Sequence, residues 1–291
     1  FIFTWIGISN IAPQGVVPDS VIYSFYIGAA ILILCVIYTT VKVKEMPPAE
    51  YAEYHGITEE EEKEKINMVK LLIKAPKAFW TVGLVQFFCW FAFMFMWTYT
   101  NGSVAANVFD APTVETAVNG VSKVMLDTKS IQYQDAADWV GVLFAVQAIG
   151  SVLWAVCIPL FKDRKLIYSL SLVLGGLGFI STYFVHNQYV LFISFLLIGC
   201  AWAAMLALPF TILTNALSGG HMGTYLGLFN GTICIPQIVA ASLGGSILAL
   251  FTPKGMLPPE INMLVMAGVM LIIGAVCVYL IKETKGEQTK A

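Results

Sequence analysis

Seven stretches of this chain run for the length of a bilayer crossing without a single Asp, Glu, Lys or Arg. They are Ser20 to Val41, Ala78 to Thr100, Trp139 to Leu160, Leu166 to Val185, Tyr189 to Leu217, Met222 to Phe251 and Asn262 to Ile281. A hydrocarbon core takes about 20 apolar residues per helix, and one such charge at mid-span costs about 2.5 to 3.5 kcal/mol on insertion scales. The segregation of charge therefore dictates an all-α integral membrane protein. Composition agrees, with 58% hydrophobic and 12% charged residues, against about 25% charged in soluble domains.

Basic residues sort by side. Lys42, Lys44, Lys63, Lys65, Lys70, Lys74 and Lys77 fill one connection, Lys162, Arg164 and Lys165 a second, and Lys282, Lys285 and Lys290 the tail. The alternate connections hold Lys123, Lys129 and Lys254. The positive-inside bias then puts the first set, and with it the C-terminus, in the cytoplasm of a multi-pass cell-membrane protein. A net charge of -2 leaves no basic excess for nucleic acid.

The chain opens at Phe1 without Met or a charged n-region, so Phe1 to Ile8 reads as the end of a truncated helix and not as a signal peptide. Residues 20–41 form a complete span, 42–77 an inner loop, 78–281 six further spans and 282–291 a tail. Within the loop, Thr58 and Glu61 form a capping box, and Ile66, Val69, Leu72 and Ile73 share one face. A helix lying on the inner membrane surface is expected there. The opposite segment Asn101 to Asp138 is mixed in charge and aperiodic, with a short helix expected after Asp110-Ala-Pro-Thr.

Chemistry-bearing motifs are sparse. Neither a GxxxxGK[ST] phosphate loop nor an HExxH pair occurs, so ATP-driven transport and zinc-protease chemistry lack their parts. The six cysteines lie in apolar runs, far apart, and read as buried free thiols; no cofactor or metal site is expected. His55, His186 and His221 fall in loops or turns, where a structural role is the ordinary one. A membrane-embedded enzyme would need a carboxylate, Ser/His pair or metal set inside the spans, and none is found.

The informative residues are therefore uncharged, because each polar side chain in hydrocarbon must find a partner or line water. Gln86, Trp90, Phe93 and Trp97 follow at spacings of four, three and four along one helical face. An amide beside flat aromatic surfaces suits a sugar ring, although aromatics at this spacing also serve as packing. Gly223, Gly227 and Gly231 make a small-residue ridge. Asn230 and Gln237 project from one face, and Pro236 is expected to bend the helix between them. Pro209 is expected to bend the preceding span near Thr211, Thr214 and Asn215, and Gln147 stands alone in its span.

The stretch Pro209-Phe-Thr-Ile-Leu, then Met222-Gly-Thr-Tyr-Leu-Gly-Leu-Phe-Asn-Gly-Thr-Ile-Cys-Ile-Pro-Gln237, resembles the second half of sucrose and maltose transporters of the major facilitator superfamily, the glycoside-pentoside-hexuronide type of sugar:cation symporter. Gln86-Phe-Phe-Cys-Trp-Phe-Ala92 and Trp97-Thr-Tyr-Thr100 resemble its seventh helix. The resemblance implies the end of helix five plus helices six to twelve of twelve, with the N-terminal half missing. It implies a sugar substrate, a coupling proton whose carboxylate lies in that missing half, and a monomer in the bilayer. Gln86, Trp90, Asn230 and Gln237 would contact substrate, while Pro209, Gly223, Gly227, Gly231 and Pro236 would serve gating or packing. Superfamily members carry a Gly-x-x-x-Asp-Arg-x-Gly-Arg-Lys type turn; here Asp163, Arg164 and Lys165 remain without its glycines, which leaves the full motif's gating role open. A transporter of another small metabolite and a non-transporting sugar sensor are the alternatives.

Overall fold

The computed structural model describes residues 5–8, 17–44, 46–47, 50, 54, 68–118, 121–217 and 222–281. Two compact units divide between Ile66 and Asn67. In the first, α1 (Asp19–Lys42) is an apolar helix that starts after Pro18, with Asp19 and Lys42 at the ends that suit the helix dipole. The second holds the short α2 (Met68–Ile73), then α3 (Lys77–Asn107), β1 (Thr113–Val118), β2 (Val121–Leu126), α4 (Ile131–Cys157), α5 (Arg164–Ser181), α6 (Leu191–Ala216), α7 (Met222–Phe229), α8 (Gly231–Phe251) and α9 (Ile261–Cys277).

Among the described residues seven helices, α1 and six in the second unit with α7 and α8 counted as one, are long and apolar enough to cross a membrane. Most of their ends lie within a few residues of the uncharged runs. The larger differences are at α3, which runs on to Asn107, and α4, which begins at Ile131. Helix starts carry local caps. Ser130 Oγ accepts from the Tyr133 amide, and Asp163 Oδ1 accepts from Lys165 and Leu166 at 2.9 and 3.1 Å. Within the spans, Thr100, Ser103 and Ser171 return their hydroxyls to the carbonyl four residues back, which satisfies them without water.

The α3–α4 connection corrects one expectation. Instead of a short helix after Asp110, β1 and β2 pair antiparallel from Thr113↔Leu126 to Val118↔Val121. Thr113, Val114, Thr116 and Val118 in β1 and Val121 and Val124 in β2 are β-branched, the residue type that favours a strand over a helix. Of the inner-loop helix expected from Thr58, only Met68–Ile73 is described as helix; Thr58, Glu61 and Ile66 lie outside the described residues, as do His55, His221 and the tail.

Close approach occurs where glycine removes a side chain. A Cβ on Gly199 of α6 would collide with the Gln147 carbonyl of α4, and one on Gly150 would stand 2.8 Å from the Leu196 carbonyl. Gly176 of α5 and Gly268 of α9 face each other in the same way, with 2.9 and 2.6 Å to the opposing carbonyls. These pairs pull α4 onto α6 and α5 onto α9. By contrast, a Cβ on Gly223 or Gly227 would meet nothing within 4 Å, and one on Gly231 only its own helix's Ile235. Among the described residues, the glycine ridge has no packing partner.

The two prolines leave their helices continuous, with Pro209 inside α6 and Pro236 inside α8. The interruption lies at Asn230, one step before α8. Its amide is shared between the carbonyls of Leu226 and Gly227 at 3.3 and 3.2 Å, a tightened turn between Gly227 and Gly231, where glycine weakens the helix.

Candidate substrate site

Proline at 209 has no N–H for the carbonyl of Met205 four residues back, so that buried oxygen loses its helical partner. Gln86 of α3 supplies one, its Nε2 donating to the Met205 carbonyl at 3.1 Å. Gln86 is fully buried, and this bond ties α3 to α6. Its Oε1 has no hydrogen-bond partner in the protein. One turn on, the Trp90 ring is buried and its Nε1 also lacks a partner. An unpaired acceptor and an unpaired donor thus follow each other on one face, where each costs about 1–3 kcal/mol if left unmade.

The rings beyond them form a wall shared by two helices. Trp202 of α6 is its hub, with centroids 5.9 Å from Trp90, 4.9 Å from Phe93 and 5.9 Å from Trp97. Both tryptophan contacts are edge-to-face, at 78° and 79°, the geometry that opposite partial charges on ring edge and face favour. Phe93 is backed by Phe179 of α5 at 5.8 Å. Trp97 is 44% exposed, so the wall opens at that end. Aromatic faces, one acceptor and one donor can hold a ring that carries both C–H faces and hydroxyls.

Trp202 is absent from the sequence expectations. On its own helix it stands among alanines, and no periodic polar partner marks it. Its one signal was position, since a tryptophan near the middle of a span is not at the interface where the aromatic belt sits.

Asn230 and Gln237 lie elsewhere. Asn230 is exposed and Gln237 half-buried, and among the described residues neither side chain is hydrogen-bonded. No hydrogen bond or ring contact joins them to the α3–α6 wall. Their helix meets α3 through Thr232, whose Cγ2 stands 3.0 Å from where a Gly83 Cβ would be, and through Gly244, packed on Phe95 and Tyr99. The opposite end of α3 is closed by Phe79, Tyr225, Phe229 and Phe210, at centroid distances of 5.7 to 6.1 Å. There the Tyr225 hydroxyl donates to the Leu71 carbonyl of α2 at 3.2 Å. Asp163 serves as the cap of α5, beside an exposed Arg164 and a half-buried Lys165. His186 is exposed, with Nδ1 3.3 Å from the Asn107 carbonyl.

The fold is that of a polytopic helical membrane protein, and no catalytic constellation is found among the described residues. The family model described as the Major Facilitator Superfamily matches residues 104–291, and the chain belongs to that superfamily. It is a multi-pass membrane transporter of a small-molecule substrate and not an enzyme. No curated protein matches the chain.

Proposed function

We propose that this chain is the C-terminal portion of a sugar:proton symporter that works by alternating access, its two halves rocking around a central site. The observation that supports this most is the α3–α6 wall, with Trp90, Trp97 and Trp202 around an unpaired acceptor on Gln86 and an unpaired donor on Trp90. Sugar rings offer C–H faces to aromatic surfaces and hydroxyls to such orphan groups. Asn230 and Gln237, left unbonded on α7–α8, supply further hydroxyl contacts from the opposite wall once the ring is seated. The hinge at Asn230 lets α7 move against α8, and the bare glycine ridge offers a surface for a helix of the other half. The resemblance of the Met222–Gln237 and Gln86–Ala92 motifs to those of sucrose and maltose transporters supports the substrate class and the coupling ion.

The excess of lysine at the α2–α7 end supports a cytoplasmic placement of that end and of the C-terminus, in a cell-membrane protein that works as a monomer. Uptake into vesicles carrying an imposed pH gradient tests the reading. A disaccharide should accumulate down the proton gradient and fail to accumulate when the gradient is collapsed. Accumulation of another metabolite class, with no sugar competing, would replace the substrate.

A further inference from the structure

Glu260 stands one residue before α9, at its cap position, yet its side chain caps nothing. The carboxyl turns to α3 instead. An ideal Cβ on Gly102 would overlap Glu260 Oε2, with Cδ at 2.5 Å and Oε1 at 2.8 Å. The whole carboxyl group therefore occupies the place of the missing side chain, and glycine is the residue that leaves it room. Tyr99, one turn back on α3, is the titratable group that feels the charge of Glu260. The Tyr99 hydroxyl is pressed on α8, 2.6 Å from where a Gly244 Cβ would stand. The acid of α9 is thus seated on α3, which packs in turn on α8.

Turned away from the amides of its own helix, the carboxylate forgoes the dipole that would favour its charge. Burial pushes it up to about 7. Neither Lys254 in the loop before it nor His186, near the end of α3, offsets that burial.

We propose that Glu260 and the Gly102 notch form a proton-operated latch between α3 and α9 at the hairpin end of the bundle. The neutral acid sits in the notch, and the carboxylate is driven out of it toward water. A proton therefore tightens this junction and its loss loosens it, whatever the substrate. The sign follows from the raised pKa. The latch holds fully below the ordinary range near 4.5, weakens as pH rises through about 7, and changes no further above it. This gives the matched transporter unit a titratable group of its own, outside the uncharged spans.

Hydrogen exchange on the purified transporter in nanodiscs, from pH 5 to 8.5 and corrected for intrinsic rates, reads the junction directly. Peptides covering the ends of α3 and α9 should lose protection on the order of tenfold to a hundredfold between these limits. E260Q, whose amide keeps the shape of the neutral acid, should hold its protection throughout. G102A, which fills the notch, should be loose at every pH and show no slope. An unchanged slope in E260Q, or no slope in the wild type, would overturn the latch. Should G102A fail to fold, the wild type and E260Q decide the question alone.

Discussion

Helices α3 and α6 and the broken helix α7–α8 are similarly apolar, yet 61% of the apolar window of α3 and of α6 is buried against 17% of that of α7–α8. Each of α6 and α8 contains one proline, and each proline frees one carbonyl. The consequence differs. The Met205 carbonyl freed by Pro209 is taken by Gln86 of a neighbouring helix, while no side chain among the described residues reaches the carbonyl of Thr232 behind Pro236. The first proline has become a helix-to-helix bond, and the second has no such bond among the described residues. Proline in a membrane helix thus marks a carbonyl that another group can bond, and packing decides whether a neighbouring helix supplies that group.

The largest expected effect tests the packed region against the open one. Gly199→Val puts a side chain into the Gln147 carbonyl and the Ser151 amide; it should destabilise by about 1–3 kcal/mol or more, since backbone cannot yield as a flexible side chain does. Gly227→Val, with nothing within 4 Å, should leave the melting temperature of the same unit unmoved. Equal losses from the two would erase the distinction.

Next in size is the proline bond. Gln86→Leu strands a buried carbonyl and should cost about 1–3 kcal/mol. In a Pro209→Ala background α6 supplies its own N–H to Met205, so the same change should cost clearly less. A double-mutant cycle on thermal unfolding measures that coupling. Additive losses would mean that Gln86 is held by packing alone.

Smaller still is the effect at Gln237. If it binds hydroxyls, Gln237→Ala should lower sugar affinity by about threefold to tenfold, from a hydrogen bond worth about 0.5 to 1.5 kcal/mol, with little change in melting temperature. A lowered melting temperature with unchanged affinity would assign it to helix packing. The smallest expected change comes from His186→Gln in the transporter. Gradient-driven uptake and its pH dependence should stay nearly unchanged, because this exposed ring is bonded to the Asn107 carbonyl at the end of α3. Loss of coupling would put the proton on that histidine.

The spans were legible because charge is intolerable in hydrocarbon, so its absence draws their boundaries directly. Packing was less so. The spacing of Gly223, Gly227 and Gly231 shows where a helix could approach, whereas the approaches occur at Gly150 with Gly199 and at Gly176 with Gly268. The latter pairs are separated by whole helices and share no local pattern. The hairpin had a signal, Asn119-Gly120 between runs rich in Val and Thr, which the surrounding mixed charge obscured. Gln86 and Trp90 were legible as one face of α3. Their partner Trp202 was not, because it arrives from a helix more than 100 residues on, through a fold in which α6 is tied to α3 by a side chain.

Calorimetric titration of a disaccharide into the purified transporter and its Trp202→Ala variant tests whether the α3–α6 wall binds the substrate. Loss of the hub ring should weaken binding by about twofold to tenfold, since aromatic contacts of this kind contribute about 0.5–1.5 kcal/mol beyond area. Trp202→Phe should recover part of that loss. Undiminished affinity in Trp202→Ala, with only a lowered melting temperature, would make the wall packing and contradict the account.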